Sequence, residues 1–196
     1  AAEILESKNR AWFILALSRL ALLSGENPFI FQGTLKKMRI VSNNICYGPM
    51  PEPDEEVEQH LTLNDEGRVW FSGYNYGCGG ERYEKARNHN FKIEKASIDR
   101  LFDAITAYFG NGYDEIFATD IGDWVMELTN TDGKTYKFRG SLCADFDYEG
   151  TDLSDLVRET VGMDDLFVFD GNNKPDIITK ITLDYHRVTK IKPEER

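Results

Sequence analysis

The densest group of carboxylates in the chain is Asp145, Asp147 and Glu149, which alternate with aromatic residues and are followed by Gly150. Alternating oxygen ligands followed by glycine are typical of the first half of a calcium-binding loop. The twelfth position of such a loop carries a bidentate glutamate, whereas this chain has Leu156 there. The pattern therefore does not predict an EF-hand, and it leaves two interpretations. One is a looser Ca²⁺ or Mg²⁺ site, and the other is a solvated acidic loop that leads into the next helix.

A second pair of carboxylates, Asp120 and Asp123, precedes a predicted strand and could approach the first group through the sheet. Paired carboxylates can hold a divalent metal or divide the roles of acid and base. Acidic turn residues are the alternative interpretation. These two groups together support the hypothesis of a metal-dependent enzyme or ligand-binding protein, and no other cofactor is predicted.

The loop from Gly73 to Arg82 is rich in glycine and in aromatic residues. Glycine-rich loops that bind phosphate also need a Lys-Ser/Thr pair and a helix directly after them, and both are missing here. Tyrosine and arginine are favoured anchors at protein interfaces. The loop therefore predicts a surface that presents Tyr74, Tyr76 and Arg82 to a protein partner.

The remaining residues that often carry out catalysis form no recognisable set. His60, His89 and His186 share no metal-ligand spacing, and no serine nucleophile elbow, kinase, dinucleotide-binding or zinc pattern occurs. No catalytic residue is predicted, and an enzyme stays an open alternative because catalytic triads are often scattered along a chain.

Acidic residues outnumber basic ones by 34 to 23 among 196 residues, which gives a net charge of −11. Residues 49–80 hold seven acids and one base, and residues 101–150 hold ten acids and three bases. This balance argues against direct binding of nucleic acid, which needs clustered positive charge. It favours docking to a basic protein, as an inhibitor or immunity-type protein of a nucleic-acid-binding partner would do.

The stretch 49–59, PMPEPDEEVEQ, combines three prolines with five acids and predicts an exposed acidic loop. Its carboxylates at Asp54, Glu55, Glu56 and Glu58 are the predicted contacts for a basic partner.

Three dispersed cysteines form no CxxC pair, which favours free thiols in the cytoplasm, buried as small hydrophobic residues. The apolar run Ala11–Leu23 has 13 residues, fewer than the roughly 20 needed to span a bilayer, so no membrane association is predicted. The run belongs to a predicted helix over residues 2–24 that ends at Gly25. Because this helix is apolar nearly all round, it predicts deep packing or, alternatively, a homo-oligomeric structural subunit assembled through it.

Two hairpins are the clearest structural signals. Patterning places Met126 opposite Phe138 and Leu61 opposite Phe71, with a type I turn and a left-handed glycine at Gly67 and Gly133. Each hairpin is followed by a predicted helix. The first spans 98–109 after a Ser97 cap, and the second ends at Gly162 after a Thr151 or Ser154 cap.

Further strands are predicted at 35–42, 115–119, 166–169 and 177–191. The predicted fold class is α+β, with a mostly antiparallel sheet, two helices on one face and an N-terminal helical extension. Residues 1–33 form the predicted helix and connector, and residues 34–196 form one domain. The units 59–110 and 122–162 resemble a weak internal duplication of hairpin and helix.

Overall fold

The computed structural model describes residues 29–78, 83–113, 116–172 and residue 182. The predicted N-terminal helix over 2–24 lies outside the described residues, and so do Arg82, the proposed oligomer contact and, apart from residue 182, the predicted strand over 177–191.

The described part of the chain contains one six-stranded sheet in the order β4-β3-β2-β1-β5-β6, with every neighbouring pair antiparallel. The strands are β1 (Leu35–Asn43), β2 (Glu56–Asn64), β3 (Arg68–Asn75), β4 (Glu84–Lys92), β5 (Asp123–Asn130) and β6 (Thr135–Ser141). Helix α1 (Lys95–Gly110) connects β4 to β5, which returns to the free side of β1. The short strands β7 (Asp147–Tyr148) and β8 (Thr151–Asp152) lead into α2 (Leu153–Val161). The α+β class with an antiparallel sheet is therefore confirmed.

Both hairpin registers are as the apolar pattern predicts. Met126 lies opposite Phe138, and Leu61 lies opposite Phe71. Gly67 and Gly133 have φ angles of +79° and +82°, and their amides bond to the carbonyls three residues earlier at 3.0 Å. Only glycine adopts this backbone conformation without a steric penalty.

One face of the sheet carries the core, and the apolar sides of both helices contribute to the same cluster of buried residues. This follows from the alternation of side chains along a strand, which puts every second residue on one face. The strand residues in this cluster are Leu35, Met38, Ile40, Leu61, Leu63, Val69, Phe71, Trp124, Met126, Leu128, Tyr136 and Phe138. The other face, which we call the outer face, carries the polar residues of the same strands.

Strand β4 was not expected, because its sequence EKARNHNFK has no apolar alternation. It forms one edge of the sheet, and eight of its nine residues are exposed. An edge strand needs few apolar contacts, and charged residues along it oppose pairing with other chains.

The predicted strands at 115–119 and 166–169 are wrong over the residues described, since residues 116–119 and 166–169 form no ladder. The segment 166–169 is an irregular turn in which Val168 has a φ of +46°. Each backbone carbonyl of this segment accepts a hydrogen bond from a different part of the chain. For example, the Ser42 hydroxyl donates to the carbonyl of Val168 at 2.7 Å. Leu166 and Phe169 are apolar because they fill the core, not because they belong to a sheet.

The predicted helix caps are also wrong. Helix α1 begins at Lys95, with Glu94 rather than Ser97 in the cap position, and no side chain caps it. Helix α2 is capped by Asp152, whose carboxylate accepts a hydrogen bond from the amide of Asp155 at 2.8 Å. The helix ends at Gly162 in the left-handed conformation, as predicted.

Candidate functional site: the acidic loop end

The longer connections between strands converge at one end of the sheet. The segments 44–55, 76–78 and 116–122 lie at this end, because strands β1 and β3 finish there while β2 and β5 start there. We call these three segments the loop end. The opposite end of the strands, which we call the hairpin end, carries the tight turns 64–67 and 130–134.

Large apolar side chains are exposed at the loop end. Tyr47 is 89% exposed, Phe117 is 75% exposed and Met50 is 73% exposed. These are the three most exposed large apolar side chains among the residues described. Aromatic residues and methionine are enriched at the centres of protein interfaces, where they supply much of the binding free energy.

The charges at the loop end are all negative. Its segments contain Glu52, Asp54, Glu55 and Asp120, every one of them exposed, and neither lysine nor arginine occurs in 44–55, 76–78 or 116–122. Basic residues gather instead at or next to the hairpin end, namely Lys36, Lys37, Arg68, Lys92 and Lys134. The hairpin end also carries acids, namely Asp65, Glu66, Glu94 and Asp132, so its charge is mixed. The loop-end segments contain acids alone, and these coincide with the exposed apolar side chains.

Backbone hydrogen bonds fix the loops of this end to one another. The amide of Tyr47 donates to the carbonyl of Asp120 at 3.0 Å, and the amide of Tyr76 donates to the carbonyl of Glu55 at 2.9 Å. Gly122 packs so closely that a Cβ atom there would lie 2.0 Å from the carbonyl oxygen of Asn43. Loops held in this way lose little conformational entropy when they bind a partner.

Glu56, which the sequence places in the exposed acidic loop, is instead committed to an internal network. It is the first residue of β2, and a bulge at Val57 turns its carboxylate to the core face beside Gly73. Arg87 grips this carboxylate with two hydrogen bonds, of 2.8 Å from Nε and 2.5 Å from Nη2. These bonds raise the pKa of the Arg87 guanidinium above its usual value. The exposed acidic loop therefore ends at Glu55.

The same network ties a distant segment to the sheet. Arg87 also bonds to the carboxylate of Asp165 at 2.5 Å, and Gln59 donates to Glu56 at 2.7 Å and accepts from the amide of Phe167 at 2.7 Å. The network thus positions the start of β2, from which the loop 44–55 extends.

Glu58 and Tyr74 lie on the outer face next to the loop end, where they contact His60. The Nε2 atom of His60 is 2.7 Å from Oε1 of Glu58, and its ring centroid is 4.7 Å from that of Tyr74. The hydrogen bond from His60 lowers the pKa of the Glu58 carboxyl, against the opposing effect of partial burial, and a bond from Asn43 lowers it further. Tyr76 is half-buried, with its ring 6.4 Å from that of Tyr83.

The carboxylates of the metal hypothesis lie in separate pieces of local structure. Asp147 accepts a hydrogen bond from the amide of Gly150 at 3.0 Å, which closes the β7–β8 turn around Glu149. Asp145 is exposed between β6 and β7, Asp120 belongs to the loop end, and Asp123 begins β5. Among the residues described, no three His, Cys, Asp or Glu side chains are grouped so that they could hold a metal ion. The Ca²⁺ or Mg²⁺ site stays a prediction from the sequence.

All three cysteines are free and exposed, so their expected burial is wrong. Cys46 and Cys78 lie in the loop end, and Cys143 follows β6 at the same edge of the sheet.

The exposed anchors Tyr47, Met50 and Phe117 were missed by sequence reasoning. Apolar residues in loops are ambiguous, because they can fill the core, as Phe169 does, or face solvent, as Phe117 does. The three prolines at 49, 51 and 53 were the available signal, since they prevent Tyr47 and Met50 from joining a strand.

Within the part of the chain that the structure describes, none of the helices is long and apolar enough to cross a membrane. The sequence matches no protein-family model, and comparison with curated proteins gives no significant match.

Proposed function

We propose that the protein is a non-catalytic, acidic binding domain that docks its loop end against a basic surface of a partner protein. The proposal rests on one observation, the coincidence of exposed Tyr47, Met50 and Phe117 with four exposed carboxylates and no cation in the same segments. An apolar centre with a charged rim is the anatomy of a protein interface.

The charges and the apolar side chains have different roles in this proposal. Negative loops attract a basic surface over a distance and raise the rate of association, an effect that salt weakens. Aromatic side chains at the centre supply the lifetime of the complex once water has been excluded.

The sign of the charge supports one class of partner. A surface that binds nucleic acid carries clustered lysine and arginine side chains, which the loop end would cover in place of phosphates. We therefore propose that binding inhibits the nucleic-acid-binding activity of the partner.

The test is differential capture from native-source lysate with the full chain immobilised, read by mass spectrometry. The loop-end charge variant is Asp54→Asn/Glu55→Gln/Asp120→Asn, which removes three negative charges while preserving side-chain size. We expect the wild-type chain to retain a basic protein at low salt and to release it at moderate salt, and we expect the charge variant to retain little of it.

The matched control is Glu66→Gln/Glu94→Gln/Asp132→Asn, which removes the same number of charges at or next to the hairpin end. This control variant should capture the partner as the wild-type chain does. The captured partner should lose its nucleic-acid binding when either the wild-type chain or the control variant is bound to it. The proposal fails if no basic protein distinguishes the wild-type chain from the loop-end charge variant, or if the control variant loses the partner equally.

A further inference from the structure

A groove of about 460 Å³ opens at the hairpin end, remote from the loop end. It lies between the turns 64–67 and 130–134, and Lys36, Lys37, Thr62, Trp70 and Thr129 contribute to its lining. The volume falls within the roughly 300–1,000 Å³ of small-molecule sites. This groove has no part in the proposed docking surface.

A β-bulge in β1 leaves two consecutive lysines exposed in the lining of the groove. Pairing of β1 with β5 passes from Leu35 opposite Asn130 to Lys37 opposite Thr129, so that Lys36 is an extra residue. Leu35 and Met38 are both buried, whereas Lys36 and Lys37 are both exposed. A regular strand would alternate the two lysines between faces, and bulges are one device that redirects side chains at binding sites.

The two ammonium groups are available to a ligand. In the described residues neither lysine is within ion-pair distance of a carboxylate. Glu127, on the neighbouring strand β5, is already bound by Lys137, with 2.8 Å between Nζ and Oε1. The positive charge of the lysines is therefore only partly compensated.

Trp70 supplies a flat apolar wall. Its side chain is on the outer face, it is 39% exposed, and it lies opposite Thr62 in the β2–β3 register. Trp70 lies on β3 and the two lysines lie on β1, with β2 between them. A planar ligand can stack its ring on such a tryptophan while the ligand's anionic group reaches across to the ammonium groups.

Polar side chains complete the lining. The Oδ1 atom of Asn64 accepts from the amide of Arg68 at 2.8 Å, which directs the amide nitrogen of Asn64 away from that bond. Thr129 shares a hydrogen bond of 3.0 Å with Thr135. A small pocket with a few convergent polar groups is typical of a specific ligand site.

We propose that this groove binds a small organic monoanion with a planar apolar body, of the aryl carboxylate class. The ring packs against Trp70, and the carboxylate is held by Lys36 and Lys37. Asp65 and Glu66 also line the groove. The Nε atom of Arg68 lies 3.3 Å from Oε2 of Glu66 and offsets part of its charge, but the two carboxylates still repel a polyanion. The groove therefore selects a single negative charge over a nucleotide polyphosphate.

The experiment is an NMR titration of the ¹⁵N-labelled full chain with 2-naphthoate, compared with the neutral 2-naphthamide. We expect saturable shifts centred on the amides of 36–37 and 62–64 and on the Trp70 indole, with a Kd on the order of 0.1–1 mM. The neutral amide should bind about tenfold more weakly, because it lacks the charge.

Two variants separate a specific site from general attraction. Lys36→Gln/Lys37→Gln should weaken naphthoate binding about tenfold, whereas Lys85→Gln/Arg100→Gln, with the same change of net charge at exposed positions on β4 and α1, should leave it unchanged. The proposal is overturned if no saturation occurs up to about 5 mM, if the shifts map elsewhere, if naphthamide binds equally well, or if both variants weaken binding alike. The loop-end substitutions lie at the opposite end of the strands from the groove, so they should not alter this titration.

Discussion

Replacing Gly73 with alanine should break the network that positions the start of β2. A Cβ atom at Gly73 would lie 1.8 Å from Oε2 of Glu56 and 2.5 Å from its Cδ. The φ angle of Gly73 is not positive, so the effect is one of space alone. The carboxylate must move, although Arg87 and Gln59 hold it with three hydrogen bonds of 2.5–2.8 Å.

The size of the effect follows from the bonds that must be given up. A hydrogen bond to a charged group contributes about 1.5–3 kcal/mol. The side chain of Arg87 is 33% exposed, so hydrogen bonds to water can replace some of those that it loses to Glu56. We expect the free energy of unfolding to fall by about 2–3 kcal/mol, which lowers the Tm by about 4–12 °C for a chain of this size.

Urea denaturation followed by circular dichroism measures this change. Gly48→Ala is the matched control, because an added Cβ there meets no heavy atom within 4 Å, and it should stay within about 0.5 kcal/mol of the wild type. In a Glu56→Ala background the clash is removed, so Gly73→Ala should cost little more. The reasoning is refuted if Gly73→Ala is as stable as Gly48→Ala, or if its cost is unchanged in the Glu56→Ala background.

Three further changes test the electrostatics of the fold. Because the pKa of Glu58 is lowered by His60, its contribution to stability is complete above the unfolded pKa near 4.5 and is lost as the pH falls through the folded pKa. The difference in stability between wild type and Glu58→Gln should therefore be largest at pH 6 and shrink as the pH falls below 4.5, and a constant difference would contradict this. The pKa of Asp152 is raised, mainly by burial and also by the charge of Asp170, although the capping hydrogen bond from the amide of Asp155 lowers it in part. Asp152→Asn keeps the cap and should be neutral or stabilising at pH 7, with the gain vanishing below pH 4, whereas Asp152→Ala should cost about 1 kcal/mol in the same melts. Arg158 is 3% exposed and pairs with Asp170, so Arg158→Met should lower the free energy of unfolding by about 3–5 kcal/mol, and a loss below 1 kcal/mol would show that the pair is dispensable.

The hairpins could be predicted from the sequence because their signals are local. Gly67 and Gly133 follow polar turn residues, and the alternation of apolar residues around them admits one register in each hairpin. The helices could be located for the same reason, since their apolar stripes are long. Their first residues could not, because Asp152 and Ser154 are both good caps and the choice depends on packing.

Long-range contacts account for what the sequence did not reveal. The segment 166–169 has the composition of a strand, but Ser42, Gln59 and Arg158 from other elements bond its backbone individually. Likewise, the two bulges that turn Glu56 and Arg87 to the core face cannot be located from local patterning. The acidity of the loop end was predictable, whereas the exposure of Tyr47, Met50 and Phe117 required the structure.

The central claim is that the exposed apolar side chains at the loop end hold a basic partner. Its most direct test is the Kd of the purified partner for the wild-type chain and for Tyr47→Ala/Phe117→Ala, measured by calorimetry. A matched control is Phe91→Ala/Val125→Ala, which removes two side chains that are 36% and 39% exposed on other parts of the sheet. We predict binding at least about tenfold weaker for the loop-end variant, equivalent to about 1.4 kcal/mol, and unchanged binding for the control. Equal affinity of the loop-end variant and the wild-type chain would contradict the account.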